Sequence, residues 1–297
     1  MIRTFLLLSF LVLGARVSAE ADAWLVDFDD AAKASSTSGK PILAVITGSD
    51  WAKPSLAMEA EVFSRPEFLS AATEKYVLLR LDYPRQTAQP EKIRAQNRQL
   101  AERYPFTGFP TFFMLDSQGF LFGAHTGYLP GGVAAFLAMA SAFDSQKTTL
   151  MGLSDALQKS APGPDRAKAQ DALFRQAEAW NLTSQYGDLP MKIVLEDKDG
   201  TAGLKTRYQV YNAYNRFLGT WADLPDFHRA VDDLDQLAAK AQPWPDLRQK
   251  ILFTKGMVWL NALKDEFKAR DSFRQVKALG AETPTGQRAA ELLDQLP

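Results

Sequence analysis

The chain has 297 residues, 46% hydrophobic and 23% charged, an ordinary globular composition with room for one large domain or two medium-sized ones. It has no cysteine, which excludes thiolate nucleophiles, thiolate metal sites, iron–sulfur clusters and disulfide exchange. Its two histidines leave little for an imidazole metal site, and we expect no metal or other cofactor. The 34 Lys and Arg residues balance 35 Asp and Glu residues, so charge favours neither nucleic acid nor an anionic membrane as a partner.

The first residues have the pattern of a secretory signal peptide. Arg3 gives a basic start, Thr4–Leu13 is a continuous apolar run, and Val17 and Ala19 provide small residues for cleavage. The run is too short to cross a bilayer, which needs roughly 20 apolar residues. We therefore expect residues 1–19 to be removed, the mature chain to be periplasmic or extracellular, and no integral membrane segment to remain. An uncleaved anchor is the alternative.

Residues 22–145 alternate short apolar runs with helical patterns, as is typical of an α/β domain. Four apolar runs predict strands, and the turn signal Asp116–Gly119 joins the last two into a hairpin. The predicted strands are Pro41–Thr47, Tyr76–Leu81, Thr111–Leu115 and Phe120–Ala124. The predicted helices are Ser55–Phe63, Pro66–Thr73, Glu91–Arg103 and Gly131–Phe143.

A proline- and glycine-rich break at Ser160–Asp165 separates this region from the rest of the chain. We expect residues 146–165 to form a linker and residues 166–297 to form an all-α domain. Beyond the break no strong strand pattern occurs, and Lys192–Leu195, a weak candidate, fits a helical segment better. The first and last parts of the chain are therefore predicted to be separate domains.

The C-terminal region has features of helical repeats. Gly256–Trp259, Ala269, Phe273 and Pro284 approximate one tetratricopeptide unit, although their spacing differs by a residue or more. An earlier helix carries Tyr208, Tyr211, Tyr214 and Phe217 on one face. Stacked helix pairs bury such faces in a continuous core. We interpret these aromatic residues as core, with a concave peptide-binding surface as the alternative.

Three motifs in residues 22–145 carry a family resemblance. They are Gly48–Ser55 (GSDWAKPS) after a buried strand, Met58–Phe68 (MEAEVFSRPEF), and Thr107–Thr111 (TGFPT) before the hairpin. In this order they resemble the thioredoxin superfamily, and within it the exported bacterial thioredoxin-like proteins with a G-S-D-W-C-x-x-C segment. The resemblance implies a thioredoxin fold, in which a central mixed sheet has helices on both faces.

The resemblance also places the redox loop of the family on Trp51, Ala52, Lys53, Pro54 and Ser55. The two redox cysteines would fall on the second and the last of these positions. Alanine has no nucleophile, and a serine hydroxyl neither ionises near neutral pH nor forms a disulfide. We therefore expect no catalytic residue in this loop.

Pro110 stands where the family has a cis-proline, and there the preceding residue pairs with an extended substrate. The resemblance thus implies a peptide-docking edge formed by Phe109, Pro110 and Thr111. The alternative is that Pro110 only shapes the start of the strand. Trp51 is likewise open to two interpretations, a surface aromatic for a partner or a cover over the core of the domain.

These observations predict a redox-inactive thioredoxin-fold protein of the cell envelope that binds or scaffolds protein or extended-peptide partners. The helical half would provide a further interaction surface. The alternative is a thiol–disulfide oxidoreductase of the same family, whose reaction this cysteine-free chain cannot perform. Natural loss of the cysteines and their deliberate replacement would leave the same sequence.

Overall fold

A computed structural model describes residues 23–221 and 226–296. The predicted signal peptide at 1–19 lies outside the described residues. The described chain divides into two compact units. The first runs to Gly152 and includes Ala177–Gln185, and the second comprises Leu153–Gln176 and the residues from Tyr186 onward. The limits 22–145 and 166–297 stay predictions.

The first unit contains a mixed sheet of five strands in the order β1-β3-β2-β4-β5. The strands are β1 (Trp24–Leu25), β2 (Ile42–Thr47), β3 (Val77–Asp82), β4 (Thr111–Leu115) and β5 (Leu121–Thr126). Strands β1 and β2 run parallel to β3, whereas β4 is antiparallel to both β2 and β5. Strand β1 was not predicted, because two residues are too few to show an alternating pattern.

Helices cover this sheet on both faces, which confirms the predicted thioredoxin-like fold. They are α1 (Phe28–Ser38), α2 (Lys53–Met58) continued by a π-helical turn at Glu59–Phe63, α3 (Pro66–Lys75), α4 (Glu91–Arg103) and α5 (Gly132–Lys159). Neighbouring residues of β4 point to opposite faces. The ring of Phe112 packs on Phe136 of α5 at 5.0 Å, and that of Phe113 packs on Tyr104 after α4 at 6.0 Å.

The linker at 146–165 stays a prediction, and over most of its length the chain is helical, because α5 continues to Lys159. The predicted helix ended at Phe143, whereas the observed one continues past Leu150, which is fully buried. The break itself falls at Ser160–Asp165, where Gly163 has a φ of 95° that favours glycine.

The C-terminal region is rich in helix, as predicted. It consists of α6 (Pro164–Ala179), a short 3-10 turn (Thr183–Gln185), α7 (Leu189–Glu196), α8 (Lys205–Thr220), α9 (Phe227–Lys240), α10 (Pro245–Asn261), α11 (Glu266–Leu279) and α12 (Pro284–Gln295). The side chains of Tyr208, Tyr214 and Phe217 are buried, in agreement with their interpretation as core. Over the described residues, no helix combines the length and the apolar character needed to cross a membrane.

Helices α10 and α11 approach closely at Gly256. A Cβ atom at this position would lie 2.5 Å from the Phe273 ring, so only glycine fits without rearrangement. Ala269 and Phe273 are fully buried on α11, and Pro284 begins α12. The residues of the approximate tetratricopeptide pattern thus take part in helix packing, while the assignment to that repeat family stays a prediction.

Candidate functional site

The two positions that correspond to the family's redox cysteines lie at the start of α2. Ala52 is the N-cap residue of this helix, 5% exposed, and its N–H donates to the Gly48 carbonyl oxygen at 3.0 Å. Ser55 is 2% exposed, and its Oγ accepts a hydrogen bond from the Gly48 N–H at 3.3 Å. The Ser55 hydroxyl therefore satisfies a buried backbone donor. Neither residue presents a nucleophile to the surface.

Trp51, which precedes these positions, is held in place by polar and aromatic contacts. Its indole N–H donates to the Tyr83 carbonyl oxygen at 2.9 Å, and the Arg85 guanidinium lies 3.5 Å from the centre of its ring. A Cβ atom at Gly48 would come within 2.7 Å of the same ring. Trp51 is half-buried, so one part of the indole stabilises the loop while another reaches the surface.

Asp50 fixes the segment that follows β3. Its carboxylate accepts hydrogen bonds from the backbone N–H groups of Arg85, Gln86 and Thr87 at 2.9, 2.7 and 2.9 Å. These bonds hold the pKa of Asp50 below its ordinary value, and the bond from Arg85 has the largest effect. Asp50 therefore holds a neighbouring loop against the redox-loop equivalents.

Replacing Asp50 with Ala is expected to release this segment while leaving the sheet intact. The amide protons of Arg85, Gln86 and Thr87 lose their common acceptor, so their hydrogen exchange should accelerate in NMR spectra. In the parent chain the same loss of protection, measured against the intrinsic exchange rate at each pH, should appear only in acid. A carboxyl group with a lowered pKa keeps its charge, and these bonds, until the pH falls through that pKa. Unchanged exchange in Asp50→Ala would contradict this role.

Four aromatic side chains form a cluster beside the redox-loop equivalents, hereafter the aromatic cluster: Trp51, Tyr83, Phe106 and Phe109. The Phe109 ring contacts those of the other three at centroid distances of 5.2, 5.6 and 5.3 Å, respectively. The Tyr83 hydroxyl donates to the Asn97 carbonyl oxygen at 2.7 Å, and burial raises the pKa of Tyr83 to about 12. The cluster is therefore uncharged at neutral pH, apart from the cation of Arg85 on its rim.

The predicted docking edge lies next to this cluster. The Phe109–Pro110 peptide bond is cis. Pro110 accepts a hydrogen bond at its carbonyl oxygen from the Gly127 N–H at 2.8 Å, and the Thr111 hydroxyl donates to the Gly108 carbonyl oxygen at 2.8 Å. By contrast, within the described chain the backbone N–H and C=O of Phe109 make no hydrogen bond. Phe109 is only half-buried, so these groups are available to a ligand.

Each of the two histidines packs against an aromatic ring. His125 is in β5, where its ring stacks on Phe112 at 5.9 Å and burial lowers its pKa. His228 is in α9 and packs edge-on against Trp259 at 5.8 Å. Among the described residues, no group of three or more acidic or histidine side chains is arranged to hold a metal ion.

Residues 28–140 match a family model described as a thioredoxin-like domain. A disulfide bond reductase, DsbH of Chlamydia pneumoniae, is 32% identical over 123 residues, which are 41% of this chain and 74% of the relative. The thioredoxin-related protein DsbJ of the same organism is 30% identical over 113 residues, 37% of this chain and 32% of the relative. A solved structure of a DsbH oxidoreductase shares 30% identity, with a TM-score of 0.38 and coverage of 40% of this chain and 82% of that one.

Proposed function

The chain belongs to the thioredoxin-like family, and on this premise we propose that it is a redox-inactive member that binds extended polypeptides. The binding site comprises the redox-loop equivalents Trp51–Ser55 and the docking edge Phe109–Thr111. With no cysteine anywhere in the sequence, the chain has no thiol with which to exchange disulfides. What the scaffold retains is therefore a surface for non-covalent binding.

The observation that carries this proposal is the unpaired backbone of Phe109. An extended peptide can satisfy both its N–H and its C=O, as in strand addition, where backbone hydrogen bonds supply affinity. The aromatic cluster beside it offers apolar contact area, and aromatic residues contribute strongly at protein interfaces. Arg85, stacked on Trp51, adds a positive charge at the rim.

The proposal includes a place of action and a role for the helical half. The signal-peptide pattern at residues 1–19 supports export to the periplasm or beyond, and hence a protein of the cell envelope. Residues 166–297, part of whose sequence approximates a tetratricopeptide unit, would form a second domain for protein interaction.

Replacing Phe109 with Asp is expected to weaken polypeptide binding about tenfold or more, which corresponds to ~1.4 kcal/mol. The introduced carboxylate would face a partner backbone across an aromatic surface, and its desolvation opposes binding. The probe is the alkylated insulin B chain, an unfolded polypeptide without free thiols, and the measurement is fluorescence anisotropy of the labelled peptide.

Phe267→Asp is the matched control, because it makes the same chemical change on an exposed phenylalanine of α11. Its affinity for the probe should equal that of the parent chain. Phe109→Ala, with far-UV circular dichroism, separates loss of binding from loss of folding. Equal affinity of the parent chain, Phe109→Asp and Phe109→Ala for the probe would refute the proposed site.

A further inference from the structure

Strand β5 forms one edge of the sheet, since among residues 23–221 and 226–296 it pairs only with β4. Phe112 and His125 are paired across these strands, and the Gly127 N–H donates to the Pro110 carbonyl oxygen. In an antiparallel pair, backbone groups point alternately toward the partner and away from it. The backbone N–H and C=O of Ala124 and Thr126 therefore point away from β4, toward the open side of the sheet.

These outward groups have no hydrogen-bond partner in the described part of the chain. Ala124 is half-buried and Thr126 is exposed, so both are accessible from outside. Each residue offers one donor and one acceptor, in the spacing that an added strand requires. The edge thus presents an unfilled stretch of β-ladder at Ala124–Thr126.

At its other end the same edge is already filled, by a side-chain amide. The Oε1 atom of Gln185 accepts a hydrogen bond from the Leu121 N–H at 2.9 Å, while its Nε2 donates to the Leu121 carbonyl oxygen. One carboxamide thus makes both bonds that a residue of a neighbouring antiparallel strand would make. This contact shows that the edge accepts an amide in ladder geometry, and it limits any added strand to the part beyond Leu121.

A groove of about 730 Å³ runs along the open part of this edge. One wall includes Phe106, Phe113 and Ala124, and the other is formed by Asn181, Thr183 and Ser184. Among the described residues that line it there is no Asp, Glu, Lys or Arg. A charged segment would lose its hydration there without gaining a counter-charge, so the groove favours an uncharged one.

The second wall is fixed by the end of α6. Asn181 has a φ of 56°, in the left-handed region that asparagine tolerates, and the Leu182 N–H donates to the Ala177 carbonyl oxygen at 2.8 Å. This turn directs the following residues to Gln185 and the edge of β5. The groove is therefore formed before any ligand binds, which lowers the entropic cost of binding.

We propose that Ala124–Thr126 is a second polypeptide-binding site, which takes one uncharged, extended segment of a partner protein as an added strand. The segment pairs with the outward backbone groups of these residues and lies in the groove between β5 and residues 181–184. Because it concerns the polypeptides that bind at Phe109, this inference rests on the proposed function. Phe106 belongs both to the aromatic cluster and to the groove wall, so the two sites are contiguous.

The test uses the peptide acetyl-Thr-Val-Thr-Val-Thr-amide and an analogue that is N-methylated at every residue, so that neither of its edges offers the N–H groups of a ladder. NMR should show that the unmodified peptide slows amide hydrogen exchange at Ala124 and Thr126 by about tenfold or more. The N-methylated peptide has the same side chains but cannot complete the ladder, and it should leave exchange unchanged. If the unmodified peptide also protects these amides in the Phe109→Asp variant, this site is independent of the first one.

Ala124→Pro removes an outward N–H while sparing the hydrogen bonds to β4, and proline is tolerated on edge strands in this orientation. It should weaken binding of the unmodified peptide about tenfold, whereas Thr126→Val, which keeps the backbone, should bind like the parent chain. Equal protection by both peptides would overturn the proposal, as would no protection by either. Protection that rises with protein concentration in the absence of peptide would show pairing with a second copy instead, and would also overturn the proposal. If Ala124→Pro fails to fold, the comparison of the two peptides still tests the proposal.

Discussion

A variant that carries both Ala52→Cys and Ser55→Cys is expected to reduce insulin disulfides with dithiothreitol, whereas the parent chain is expected to show no activity. Position 52 is the N-cap of α2, where the free N–H groups of the first turn lower the pKa of a thiol. Position 55 lies one turn further on, with its side chain directed at the Gly48 N–H. A thiol there can resolve a mixed disulfide formed at position 52.

The two single variants are the controls for this experiment. Ala52→Cys alone should form a mixed disulfide with a small aromatic disulfide but should not turn over, because no second thiol releases it. Ser55→Cys alone should react slowly, because that side chain is only 2% exposed. If the double variant forms no internal disulfide under oxidising conditions, the loop has lost the redox geometry of the family. That outcome would leave the proposed binding role of Phe109 unaffected.

Gly286→Ala is expected to lower the free energy of unfolding by about 3 kcal/mol, at the upper end of the usual cost of overpacking. A Cβ atom at this position would lie 1.9 Å from the carbonyl oxygen of Gly280 and 2.9 Å from its carbonyl carbon. These are backbone atoms at the turn between α11 and α12, so no flexible side chain can move aside. The Thr283 hydroxyl also accepts the Gly286 N–H at 3.0 Å, which fixes the start of α12.

Gly219→Ala serves as the matched control, since it makes the same change in α8. In the described part of the chain, no atom outside the adjoining residues and the backbone of the same helix lies within 4 Å of the added carbon. Its effect should be neutral or stabilising by about 0.5 kcal/mol, because alanine favours helix more than glycine does. Urea unfolding followed by circular dichroism measures both variants. Equal midpoints for Gly286→Ala and the parent chain would show that the turn before α12 adapts freely.

The local sequence pattern was sufficient to predict the helices and strands that bury a continuous apolar surface. All six residues of β2 are buried, and the run of apolar residues from Pro41 to Thr47 predicted this strand almost to the residue. The helix Glu91–Arg103 was predicted with its observed bounds. The continuation of α5 was missed, because its second half is mostly exposed and Leu150 alone does not show a helical period.

The candidate site was only partly predictable. The motifs indicated the loop at Ala52 and the docking edge at Pro110. Asp50, Arg85 and Gln185 were missed as contributors, because their contacts join residues far apart in the chain. The bond from the Arg85 N–H to Asp50 spans 35 positions, and the Leu121 N–H bond to Gln185 spans 64. Periodicity in a single sequence does not indicate which distant residues are in contact. The acidic residue before Trp51 was the sole local feature that pointed to one of these contacts.

The amide of Gln185 also bears on how this protein behaves when it is concentrated. Exposed strand edges are templates on which chains polymerise, and cross-β fibrils grow from segments of about six or seven residues. With Leu121 occupied, the open part of β5 between Ala124 and Thr126 is shorter than such a segment. Gln185 thus shortens the exposed edge, and the part that remains can pair with the proposed added strand while being shorter than a typical fibril-forming segment.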